Sequence, residues 1–69
     1  MNKNYWYGRI RYLLNKYNSY RYSVCMGNEH ISDIMILSRD DLLLYAKDIR
    51  KGNCLESHYP MSIYPLSDQ

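Results

Sequence analysis

Sixty-nine residues carrying a net charge of +2, 46% hydrophobic content, nine Tyr, two Cys and no Phe describe one small folded domain. A chain this short buries only about 60% of the surface its unfolded form exposes. That leaves little for the concave pocket of about 300 Å³ or more that small-molecule chemistry uses, so a non-enzymatic role is expected.

The charge is unevenly placed. Residues 1–22 hold Lys3, Arg9, Arg11, Lys16 and Arg21 with no acid, a sum of +5; residues 23–69 hold four basic and seven acidic side chains, a sum of −3. The chain is basic at the front and mildly acidic behind. No stretch approaches the roughly 18 apolar residues of a membrane span. No apolar leader with a small-residue cleavage site opens the chain. A cytoplasmic location in the host cell interior, free thiols and no cofactor are the expectations.

Residues 4–17 read best as a helix. Trp6, Ile10, Leu13, Leu14 and Tyr17 recur at i, i+4, i+7, i+8 and i+11, which is one face. Tyr5, Arg9, Tyr12 and Lys16 fall outward, with Tyr7 and Arg11 at the boundary. A strand is the rival, because Trp6, Ile10, Tyr12 and Leu14 also alternate and Tyr-Trp-Tyr favours strands. Asn15 to Ser19 is a turn cluster.

Next, Tyr20, Tyr22, Val24 and Met26 alternate with Arg21, Ser23 and Cys25, a strand. The following GNEH marks a turn, and ISDIMIL is a second, more apolar strand expected to be the more central one. Ser38 is a good N-cap, with Asp40 and Asp41 in the first turn where the helix dipole favours acids. Leu42, Tyr45, Ala46 and Ile49 predict a buried stripe, and Gly52 follows Arg50 and Lys51 as a left-handed stop. These signals bound a helix over 39–51.

Residues 53–69 form an extended, Pro-containing C-terminal tail. Pro60 and Pro65 bar a helix or a central strand there, leaving a short edge strand or packed polyproline II. The fold class is α+β, a small single domain with an antiparallel hairpin or sheet packed with one or two helices. Its order is α-β-β-α plus the tail, or β-β-β-α if the first segment is a strand.

Cys25, His30, Cys54 and His58 are the residue types of a tetrahedral zinc site. Their spacing is not that of the common fingers, so no metal is expected; unrelated thiols and exposed imidazoles are the plainer reading. A Cys25–Cys54 disulfide is a minor alternative. A Cys–His nucleophile pair lacks any signature order. Asp33, Asp40, Asp41 and Asp48 are explained by strand edge, helix start and polar helix face.

The basic aromatic front is where function is expected. Tyr, Trp and Arg are the types enriched at interface hot spots. Tyr5, Tyr7, Arg9, Arg11, Tyr12 and Lys16 therefore form the candidate partner-binding set. The expected function is that of a small inhibitor or adaptor, of the kind encoded by phages and other mobile elements, that occupies a partner protein's surface. A host nuclease or defence complex, as for an anti-CRISPR inhibitor, is a concrete example of such a partner. The alternative is a small nucleic-acid-binding protein, since Lys and Arg neutralise phosphates and Tyr stacks on unpaired bases. A homodimer would also bury the surplus aromatics.

Overall fold

The computed structural model describes residues 3–27 and 32–66. Helix α1 (Lys3–Lys16) is followed by strands β1 (Arg21–Gly27) and β2 (Ser32–Ser38), helix α2 (Arg39–Lys51), a 3-10 turn (Glu56–His58) and strand β3 (Pro60–Pro65). The fold is α+β: two helices lie on one face of a three-stranded antiparallel sheet of order β2-β1-β3. Among the described residues, no helix is long and apolar enough to cross a membrane.

The first segment is the helix, not its strand rival. Trp6, Ile10, Leu13 and Leu14 are its buried residues. From α2 come Leu42, Ala46 and Ile49, and from the sheet Tyr22, Val24 and Ile63. Ile10, Val24, Leu42 and Ile49 are fully shielded, and each such aliphatic side chain contributes about 1.5–3 kcal/mol of transfer free energy. With no Phe available, Tyr22 supplies the largest fully buried side chain. Its hydroxyl reaches out of the core and donates to the Tyr17 carbonyl at 2.8 Å, so no polar atom is stranded.

Helix α2 obeys its local signals. The Ser38 hydroxyl accepts from the Asp41 amide at 3.2 Å. At the other end Gly52 takes φ 82°, its amide donates to Ile49 O and the Asn53 amide donates to Asp48 O. This pair of bonds is the Schellman closure, which needs a left-handed residue at the Gly52 position.

Three expectations need correction. Tyr17 does not anchor the core: the helix stops at Lys16, the periodicity ends with it, and the Tyr17 ring is exposed. The second strand is not the central one. Because α2 starts directly after β2 and carries the chain back across the sheet, β3 pairs with the free side of β1 and leaves β2 at an edge. Ile34, Met35 and Ile36 are therefore open to solvent and not evidence of a central position. The C-terminal segment resolves to an edge strand, with a register shift opposite Cys25 and Met26. The GNEH turn lies largely outside the described residues.

One side chain joins the first turn of α2 to the end of α1. The Arg39 Nη2 donates to Leu14 O at 2.9 Å, and Nη1 lies within 3.0–3.2 Å of Tyr17 O, Ser19 O and the Tyr22 hydroxyl. Helix carbonyls at a C-terminus have no intrahelical donors, and a guanidinium fork suits several of them at once. Elsewhere the Tyr45 hydroxyl donates to the His58 carbonyl and ties the 3-10 turn to α2.

Candidate partner-binding surface

The outward side of α1 carries the expected aromatics and cations, and the structure sorts them into two groups. Tyr12 is half exposed. Arg9 lies 5.5 Å and Lys16 5.6 Å from its ring centroid. These are one turn before and one turn after it, the spacing at which helical side chains meet. Lys16 also approaches the Tyr17 ring at 5.3 Å. Hydrogen bonding to Tyr12, reinforced by Tyr17, holds the Lys16 ammonium above the usual lysine range. Exposed cation–π contacts at this spacing bias the rotamers of Arg9, Tyr12 and Lys16 in the free protein.

Tyr7 and Arg11 belong to a different cluster. Arg11 Nη1 donates to the Tyr7 hydroxyl at 3.0 Å and stacks 5.8 Å from its ring. On the other side Arg50, from α2, sits only 3.8 Å from the Tyr7 centroid. Tyr7 is half-buried and packs on the core. Tyr7 therefore braces α1 against α2, with Arg11 held against its ring from within α1. Sequence marks Arg50 only as a basic residue in the last turn of α2; it lies 43 positions from Tyr7, and no local spacing pairs them. Tyr5 is exposed and meets Trp6 edge-on at 5.2 Å with the ring planes at 83°.

The sheet contributes a second open surface. Because paired residues share a face, Cys25 lines up with Ile34 and Ser62, and Ser23 with Ile36 and Tyr64, on the side away from the helices. Among the described residues, no element covers these two rows. Ile34, Ile36 and Tyr64 are 71%, 54% and 63% exposed.

Other groups are less suited to chemistry. Cys25 and Cys54 are both free. Cys25 alternates with the buried Val24 and so lies on the uncovered sheet face, whereas Cys54 packs on the core. That places the two sulfurs on opposite sides of the sheet, against a Cys25–Cys54 bridge. His30 lies outside the described residues, and among the described residues no three His, Cys, Asp or Glu gather as a metal site. Burial, with Asp48 nearby, pushes the Cys54 thiol up, the opposite of the lowered value a nucleophilic thiolate needs. A shallow open cleft of about 290 Å³ lies between Trp6, Gly27, Glu56, Tyr59, Pro60 and Met61. Comparison with known protein families, curated proteins and solved structures finds no match to this chain.

Proposed function

We propose that the protein acts by binding, not catalysis, and that the outward stripe Tyr5, Arg9, Tyr12 and Lys16 docks on an acidic patch of a partner protein. The observation that carries this reading is Tyr12, half exposed and held between two cations on one helix face. A side chain stacked before binding loses less conformational entropy when the interface forms. Tyrosine also offers a large rigid surface with a polar end. Tyr7 and Arg11 belong to this reading as the brace that holds α1 in position, with Arg50 as their third member. A small inhibitor that masks a partner's working surface, including the anti-defence kind, is one form of this reading.

The same stripe supports a nucleic-acid reading, since Tyr12 between two cations also suits a base stacked above a phosphate backbone. One pair of variants addresses both. Arg9→Glu with Lys16→Glu reverses two exposed charges while leaving the Tyr7–Arg11–Arg50 brace intact. Partners are identified by crosslinking from a photoreactive residue at position 12 in the native cell, then purified and titrated. The expected result is at least tenfold weaker binding by the double variant, with a thermal midpoint within a few degrees of the parent. Equal binding by both proteins refutes the assignment to this stripe. Salt-sensitive binding of single-stranded oligonucleotides, lost in the same variant, supports the nucleic-acid reading instead.

A further inference from the structure

The two edges of the sheet are built differently. The β3 edge carries Pro60 and Pro65 and a register shift against β1, and proline and bulges are common means of blocking a strand edge. The β2 edge has none of these. Its pairing with β1 runs without interruption from Arg21↔Ser38 to Gly27↔Ser32, and its sequence SDIMILS contains no Pro, Lys or Arg. Three consecutive residues at its centre, Ile34, Met35 and Ile36, are all exposed. Ile34 and Ile36 lie on the uncovered face and Met35 on the helix side, so this edge is apolar on both faces.

The hydrogen-bond phase of the edge follows from one further contact. The Arg39 amide donates to Tyr20 O at 3.1 Å, one rung beyond the end of β2. In an antiparallel pair the bonded rungs alternate. Asp33, Met35 and Leu37 therefore direct their backbone groups toward β1, and Ser32, Ile34 and Ile36 direct theirs away from the sheet, while the carbonyl of Ser38, the N-cap, is taken up by the first turn of α2. The sequence is self-complementary about Met35. In antiparallel pairing with a second copy, Ile34 meets Ile36, Ser32 meets Ser38, Asp33 meets Leu37, and Met35 meets Met35. All seven residues overlap, the outward-directed backbone groups of Ile34 and Ile36 face one another as two central bonded rungs, and the one charge in the strand never opposes its own copy.

We propose that the protein forms a two-fold dimer by antiparallel pairing of β2 with β2 of a second copy, giving one continuous six-stranded sheet. The axis runs through the sheet beside Met35, perpendicular to it. Both helix layers then lie on the same side, and four isoleucines gather around the axis on the other side. The contact is isologous, as closed two-fold assembly requires. A seven-residue edge gives a strip about 23 Å long and one strand wide. That sits near or below the lower end of stable interfaces, roughly 1,200 Å², so the dimer is concentration-dependent, with Kd in the micromolar range. This inference is independent of the α1 stripe, which lies in the helix layer.

Sedimentation velocity on the full chain, from about 1 to about 200 μM to span a micromolar Kd, tests it. The parent is expected to pass from monomer to dimer. Ile34→Lys with Ile36→Lys, which places lysine opposite lysine at two rungs, is expected to remain monomeric with its helical circular dichroism retained. Tyr64→Lys, on the same sheet face but on β3, is expected to dimerise like the parent. A parent that stays monomeric at the top concentration overturns the proposal. So does loss of dimer in the Tyr64 variant, which points to face-to-face stacking instead of edge pairing. Should the double variant not fold, amide exchange of the parent decides the matter. Protection of the Ile34 and Ile36 amides must rise with concentration while that of Met35 does not, and an unchanging profile overturns the proposal.

Discussion

Replacing Arg39 with alanine is expected to destabilise the protein by about 2–4 kcal/mol. The guanidinium holds Leu14 O, Tyr17 O, Ser19 O and the Tyr22 hydroxyl. Charge-assisted hydrogen bonds contribute about 1.5–3 kcal/mol each when isolated. They do not sum here, because Nη1 has two hydrogens and three acceptors. Its charge at the end of α1 adds about 0.3–1 kcal/mol through the helix dipole. The side chain is only half-buried, so water replaces part of what is lost, which brings the total down to the stated range. A chain of this length has about 3–10 kcal/mol to lose in all, so the variant gives up a large share of its stability. At about 4–8 °C per kcal/mol for small domains, the thermal midpoint should fall by roughly 8–32 °C. Urea unfolding followed by circular dichroism and by fluorescence of the single, buried Trp6 measures it. Arg39→Lys keeps the charge but not the fork, and should fall between the parent and the alanine variant. Tyr22→Phe removes one member of the same network, so its combination with Arg39→Ala should cost less than the two separate losses together. An Arg39→Ala loss below about 1 kcal/mol refutes the reading of this residue as the clamp on α1.

Two glycines should respond in opposite directions. Gly8 lies inside α1 with nothing within 4 Å of an added Cβ, so Gly8→Ala should raise stability by about 0.5–1 kcal/mol. Gly52 also has room, its nearest neighbour being Lys3 Nζ at 3.8 Å, but its φ is +82°, so Gly52→Ala should cost about 1–2 kcal/mol through backbone strain alone; chemical denaturation resolves the difference. Burial holds the Tyr45 hydroxyl well above its ordinary pKa of 10.0 in the folded state. The unfolded chain therefore loses this proton first as pH rises, and stability falls above about pH 10. Below that pH Tyr45→Phe should be less stable than the parent, because it lacks the bond to His58 O. The gap should narrow as pH passes 10, and a gap that stays constant to pH 11 refutes the assignment.

Local rules carried much of the fold. Every signal around α2 is a short-range one: Ser38 to Asp41, Asp48 to Asn53, and the buried stripe Leu42, Ala46 and Ile49. Such features are decided within one turn of the chain and can be read from it. The α1 stripe was legible for the same reason, since Arg9, Tyr12 and Lys16 meet along one helix. What escaped depends on distant residues. No local pattern marks Arg39, because its acceptors come from the end of α1 and the start of β1. Arg50 gained its role only when α2 docked on Tyr7. The strand order misled for a related reason: an apolar strand reads alike whether it is central or an uncovered edge, and only the return path of the chain after α2 decides between them.

The position of β3 bears on how the molecule assembles and comes apart. Helix α1, the β1–β2 hairpin and α2 are each built mostly from neighbours in sequence, whereas β3 must find β1 across the 32 residues between Gly27 and Pro60 and close a large loop. Pairing of this kind forms late and opens early. The last described rung, from the Leu66 amide to Arg21 O, is the natural starting point for fraying. When β3 lifts away, Ile63 and Pro60 leave the core together, and the second side of β1 becomes a free edge. A partly open form with both flanks of the β1–β2 hairpin exposed is then the species most prone to misassociate. Its population is set by how well two prolines and one isoleucine hold the last strand in place.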